Sequence, residues 1–103
     1  MRSVACAIVR GDPPELFIAD DIETLNWVLA LKLICRTPGR EVPQELRAPL
    51  RAAVLEERWG DAVELWMRLR PGAVDVYPSY DLHTGRDVDL AAEELQFTPL
   101  FED

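Results

Sequence analysis

Apolar side chains surround nearly the whole circumference of one predicted helix, residues 20–36 (DDIETLNWVLALKLICR). At 100° per residue they form two stripes on opposite sides: Ile22, Leu25, Leu29 and Leu33, then Trp27, Ala30, Leu31 and Ile34. A helix that is apolar on all sides is normally buried. Its unbroken apolar run, residues 27–31, is far shorter than the ~20 residues that a bilayer requires. We therefore expect it to be enclosed between a sheet and other helices, or between its sheet and a second subunit.

The ends of this helix carry recognisable signals. Asp20 and Glu23 have the D-x-x-E spacing of a capping box, in which each side chain bonds the other residue's backbone N–H. Pro38 disfavours a helical conformation at Thr37, and Gly39 permits a turn. The pattern predicts a helix that begins at Asp20 and ends before Thr37.

Two strands are predicted before the helix. Residues 3–10 (SVACAIVR) are apolar or small on both faces, which is typical of a central strand covered on both sides. Residues 11–14 (GDPP) form a turn. Residues 15–19 (ELFIA) are either a second strand paired with the first or an extended lead into the helix, and we favour the strand.

A second helical pattern follows, opened by Pro43 or Pro49 and closed at Pro71. Apolar residues spaced alternately four and three apart form a seam: Ala48, Ala52, Leu55, Trp59, Ala62, Trp66 and Leu69. Pro49 is expected to kink or restart the helix, and Gly60 offers another point at which it could break. The seam is expected to pack on the first helix, with a dimer interface as the alternative.

Residues 73–82 (AVDVYPSYDL) alternate between apolar and polar positions, as in a half-exposed strand. Pro78 cannot donate to a sheet ladder, so this strand lies at an edge or ends near it. Asp87 or Asp89 then caps a short helix that runs to about Gln96, before an apolar tail. The resulting order, β(β)ααβα, predicts a single α+β domain over residues 1–103.

Composition and charge exclude several classes of function. The 103-residue chain has a net charge of −8, which argues against nucleic acids and anionic membranes as partners. No signal-peptide pattern follows Met1, so we expect a cytoplasmic protein. Ten arginines against one lysine suggest a GC-rich bacterial genome. Cys6 and Cys35 lie in apolar segments and are expected to be two buried free thiols.

Polar functional groups gather only in residues 75–94, and they do not form a convincing catalytic or metal site. A calcium loop that starts at Asp81 would have Arg86 and Ala92 where glycine and glutamate are required. His83 is the only histidine, so a zinc or iron site would lack its usual second histidine, and a histidine general base would have to be this residue. No activated nucleophile is evident. We expect no metal and no cofactor, and whether the protein is an enzyme stays open.

Two functional hypotheses remain. The surplus of apolar surface favours a non-catalytic interaction protein or accessory subunit that self-associates, as a homodimer or with a protein partner. The alternative is a small-molecule binding protein or enzyme with an apolar pocket lined by Trp27, Trp59 or Trp66 and rimmed by Asp75, Tyr77 and His83. The candidate interaction or pocket residues are Trp27, Trp59, Trp66, Tyr77, His83 and Phe101.

Overall fold

An antiparallel three-stranded sheet with helices on one face forms the fold, which the computed structural model describes for residues 2–85. The elements are β1 (Arg2–Val9), β2 (Glu15–Ala19), α1 (Ile22–Lys32), α2 (Gln44–Leu55), α3 (Trp59–Leu69) and β3 (Val74–Leu82). Two 3-10 turns, Ile34–Arg36 and Gly39–Glu41, lie between α1 and α2. The fold class is α+β, as the sequence predicts. The predicted last helix and the tail with Phe101 lie outside the described residues.

The central position predicted for the first strand is confirmed, because the strand order is β2-β1-β3. The β1–β2 hairpin also confirms that residues 15–19 are a strand. Ala5 and Ala7 of β1 are fully buried in the core that the sheet shares with the helices. Small side chains at these positions let the helices approach the sheet closely.

The first helix is shorter than predicted at both ends. Its N-cap is Asp21, whose Oδ1 accepts a 2.7 Å hydrogen bond from the Thr24 backbone N–H. The predicted capping box on Asp20 is therefore wrong by one residue, and Asp20 instead lies 3.9 Å from Arg2. The α-helix ends at Lys32, after which the chain tightens into the first 3-10 turn.

Within a single chain only one side of α1 is covered, so the prediction that its own sheet and helices enclose it is wrong, whereas enclosure by a second subunit stays a prediction. Leu25, Leu29 and Ala30 are buried, whereas Trp27 is 48% exposed and Leu31 is 46% exposed. The reason lies in the arrangement of the helices: α3 packs against α1, while α2 packs mainly against α3. Within residues 2–85 these contacts leave the opposite side of α1 open.

The predicted second helix is two helices, and the break falls at neither Pro49 nor Gly60, which lie inside α2 and α3. Glu57 adopts a left-handed conformation with φ of 58°. The Arg58 N–H bonds the Ala53 carbonyl at 2.8 Å, and the Glu57 N–H bonds the Val54 carbonyl at 3.1 Å. This is the Schellman pattern that ends helices.

The break also divides the predicted seam. Its α3 part packs in the core as predicted, with Ala62 and Trp66 buried. Leu55, at the end of α2, is 83% exposed, so its assignment to the seam is wrong. A continuous helix would have kept Leu55 in line with Trp59, and the left-handed turn after α2 removes that alignment.

The two cysteines differ in environment. Cys6 is buried as predicted, and this burial raises the pKa of its thiol. Cys35 is exposed, so the prediction that both thiols are buried is wrong for it. The 3-10 turn that replaces the end of the predicted helix carries Cys35 to the surface. In the part of the chain that the structure describes, no helix has the length and apolar character to cross a membrane.

We expect Asp21→Ala to lower the midpoint of urea unfolding, because it removes the cap of α1. Asp20→Ala is the matched control and should change the midpoint much less, since its ion pair is long and exposed. Hydrogen bonds from Thr24 hold the pKa of the Asp21 carboxyl below its ordinary value. A lowered folded-state pKa contributes stability above the unfolded-state pKa and loses it as the pH falls through the folded-state value.

The difference between the parent and Asp21→Ala should therefore be complete at neutral pH and shrink as the pH falls below about 4. Urea titrations at several pH values measure it. A difference that grows on acidification would contradict the assigned cap.

Candidate functional site

A β-bulge in β3 changes which side chains share a face of the sheet. Val4 of β1 pairs with Tyr80 of β3. Cys6 lies two residues after Val4, but it pairs with Tyr77, which lies three residues before Tyr80. The extra residue lies at the Pro78 position, where proline is tolerated because a bulge needs fewer ladder donors. Strict alternation in the sequence puts the two tyrosines on opposite faces, and that prediction is wrong.

The bulge brings both tyrosines to the face that points away from the helices, which we call the outer face. Their rings meet edge to face, with centroids 5.6 Å apart. The pairing of β1 with β2 and β3 places Arg2 and Asp75 near the two ends of the outer face and the following apolar residues between them: Val4, Cys6, Ile8, Leu16, Ile18, Tyr77, Tyr80 and Leu82.

The outer face is apolar and open at its flanks. Val4 and Cys6 are buried at its centre, between the flanking strands. Leu16 is 60% exposed, and Ile18, Tyr77 and Tyr80 are between 40% and 46% exposed. None of the outer-face side chains belongs to the cluster that packs between the sheet and the helices. In other proteins, contiguous apolar surfaces are often sites of contact with another molecule or segment.

Charged groups at the two ends of the outer face are paired with each other. At one end Arg2 lies 3.9 Å from Asp20, and at the other Arg10 lies 3.7 Å from Asp75. All four side chains are substantially exposed, so these pairs add little stability. Because they pair, these groups leave the outer face without net charge, although the whole chain has a net charge of −8.

The three tryptophans assigned to one pocket lie in different environments. Trp27 is exposed on α1, Trp59 is half-buried at the start of α3, and Trp66 is buried in the core. The Trp66 Nε1–H donates a 3.2 Å hydrogen bond to the Thr37 Oγ1, and the Arg70 guanidinium lies 5.9 Å from its ring centroid. Trp66 is thus a structural anchor.

The polar residues assigned to the rim of that pocket are also separated. Asp75 lies near the start of β3 and His83 follows its end, so roughly 25 Å of strand separates them. Tyr77 is on the outer face, on the other side of the sheet from Trp66. Among residues 2–85 no group of three or more His, Cys, Asp or Glu side chains lies close enough to hold a metal ion. Phe101 lies outside the described residues.

A groove of about 450 Å³ lies on the helical side of the molecule, between α2 and the two 3-10 turns. Leu50 and Val54 of α2 give it an apolar wall, and Arg47 and Arg51 follow the same side of that helix. The exposed Cys35 also lines it. Among residues 2–85 no carboxylate lines the groove.

Sequence reasoning missed both surfaces. The sequence did carry a signal for the groove. Arg47 and Arg51 are four residues apart, as are Leu50 and Val54, and residues at this spacing lie on the same side of a helix. The outer face had a weaker one, since Pro78 within an alternating strand indicates a bulge as well as an edge.

Comparison of the chain with protein-family models, with curated proteins and with solved structures found no match.

Proposed function

We propose that the protein is a non-catalytic interaction protein that self-associates through the outer face of its sheet. The observation that supports this most directly is the group of exposed apolar side chains on that face: Leu16, Ile18, Tyr77 and Tyr80. Two sheets that stack face to face interdigitate such side chains at a separation of about 10 Å.

The distribution of charge favours a second copy as the occupant. Two chains of charge −8 repel each other, so a contact surface without net negative charge favours self-association. The outer face meets this condition because its arginines and aspartates pair at each end. In a two-fold dimer the same apolar centre then meets its own copy.

The edges of the sheet are poor sites for self-association. β2 has only five residues, and β3 is interrupted by the bulge and Pro78. Short edges, prolines and bulges are the devices that prevent strands from pairing between molecules. The face therefore offers a better contact than either edge.

The size of the outer face sets the expected strength of the dimer. Three strands about 4.8 Å apart and about 26 Å long give a footprint of roughly 350 Å² per protomer, below half of the roughly 800 Å² in a standard interface. We therefore expect a weak, reversible dimer that forms as the concentration rises.

Sedimentation velocity from micromolar to millimolar concentration tests the proposal. The average mass of the parent should rise toward that of a dimer. Ile18→Asp should keep the protein monomeric, because symmetry buries the new carboxylate twice and weakens the dimer by about a hundredfold.

Leu55→Asp is the matched control. It adds the same charge at an exposed leucine on α2, away from the outer face, and should associate like the parent. Circular dichroism checks that both variants are folded. A parent that stays monomeric at millimolar concentration contradicts the proposal and leaves the face to another occupant. Equal loss of association in both variants would show that charge alone governs it.

A further inference from the structure

We propose that the groove beside α2 binds a small monoanionic carboxylate with an apolar body, of the fatty-acid type. The proposal is independent of self-association, because the groove lies on the helical side of the sheet and the outer face lies on the other. The groove volume of about 450 Å³ is within the range of small-molecule sites, which are mostly apolar with a few polar groups that fix orientation.

Two arginines supply those polar groups, and they are held differently. The Arg47 Nε and Nη2 both donate to the Val42 carbonyl, at 3.2 Å and 3.0 Å, so this side chain is fixed in the groove wall. Within residues 2–85 Arg51 has no carboxylate partner. Its Nη2 lies over Gly39, 3.1 Å from where a Cβ on that residue would be.

Arg51 therefore has its guanidinium fork available at the edge of the groove. A guanidinium binds a carboxylate through two parallel N–H···O bonds, which matches a single fork to a single carboxylate. Most other arginines in this part of the chain already have a carboxylate: Arg2, Arg10, Arg36, Arg58, Arg68 and Arg70.

The rest of the groove determines the body of the ligand. Ile34, Val42, Leu50 and Val54 give an apolar lining that a hydrocarbon chain would cover. The overall charge of −8 favours a singly charged ligand over a doubly charged one, since a strongly acidic protein repels a dianion more than a monoanion. A carboxylate fits better than a phosphate monoester for this reason.

Cys35 provides a direct readout at the site. Its thiol is exposed and lines the groove, whereas Cys6 is buried in the sheet and has a raised pKa, so it reacts slowly. The rate at which iodoacetamide alkylates Cys35, followed by peptide mass spectrometry, reports occupancy of the groove. Alkylation of Cys6 reports any unfolding in the same sample.

The probe is decanoate, used with the full chain below the concentration at which it forms micelles. Decanoate should slow the alkylation of Cys35 in the parent. Arg51→Gln should weaken this protection by about tenfold, as expected for loss of one charge-assisted contact. Arg40→Gln is the matched control, because Arg40 carries the same charge in the neighbouring 3-10 turn without lining the groove.

Two further probes test the class of ligand. Decan-1-ol has the same chain without the charge, and decyl phosphate has the chain with more than one charge; both should protect Cys35 less than decanoate. The proposal is overturned if decanoate gives no protection in the parent, or if Arg51→Gln is protected as well as the parent. Protection by either of the other probes that equals or exceeds that by decanoate also overturns it.

Discussion

Replacing Leu25 with alanine should lower the free energy of unfolding by about 3 kcal/mol, a large share of the 5–15 kcal/mol typical of a small domain. Leu25 has no exposed surface, and it lies on the side of α1 that faces the sheet and α3. The substitution removes apolar contacts and leaves a cavity that the rigid surroundings fill only in part. Urea unfolding followed by circular dichroism measures the loss.

Leu31 provides a control of the same residue type on the same helix. Leu31 is 46% exposed on the other side of α1. Leu31→Ala should therefore lower the free energy of unfolding by less than about 1 kcal/mol. Both measurements belong at a concentration where the chain is monomeric, because association adds apparent stability. Equal losses at the two leucines would contradict the structure, since they would show that α1 is covered on both sides.

This pair of leucines also shows where sequence reasoning about the helix failed. The apolar pattern identifies α1 as a helix, but it does not say that Trp27 and Leu31 stay uncovered while Ala30 of the same stripe is buried. That difference depends on where α2 and α3 lie, which is a tertiary property. The left-handed Glu57 ends α2 and separates it from α3. Glutamate is an unusual residue for that conformation, so nothing in the local sequence indicates the turn.

The strands were more predictable because their signals are local. Small and apolar residues on both sides of β1 indicate a central strand, and the β2-β1-β3 order agrees. The register of β3 was not predictable in the same way. One extra residue near Pro78 reverses the alternation beyond it and moves Tyr80 to the face of Tyr77. The outer face, and with it the proposed dimer contact, depends on that single bulge.

The candidate sites show the same difference between features that local sequence signals predict and features that depend on tertiary contacts. The seam pattern correctly predicted that Trp66 packs in the core, but the alternative pocket that would group it with Trp27 and Trp59 is not formed. The proposed ligand groove instead depends on Arg51, whose importance comes from what is absent around it in residues 2–85. A missing carboxylate partner can be recognised only when the neighbours are known in three dimensions.

Trp66→Ala should have the largest effect in the molecule, a loss of about 4 kcal/mol in the free energy of unfolding. The indole fills the core where α1, α3 and β3 meet, and only 6% of Trp66 is exposed. Its N–H also begins a hydrogen-bonded series: Trp66 donates to Thr37 at 3.2 Å, and the Thr37 hydroxyl donates to the Leu33 carbonyl at 3.0 Å. This series fixes the end of α1 and the turn beyond it to α3.

Trp27→Ala is the matched control, since Trp27 is 48% exposed on α1, and it should cost about 1 kcal/mol or less. Trp66→Phe separates the two contributions of the indole, because phenylalanine keeps most of the apolar volume and removes the donor. Combined with Thr37→Val in a double-mutant cycle, it should give a coupling energy of about 1 kcal/mol for the hydrogen bond. A coupling energy near zero would mean that Trp66 stabilises the fold by packing alone. A cost of Trp27→Ala as large as that of Trp66→Ala would contradict the assignment of the core, because an exposed side chain has few contacts to lose.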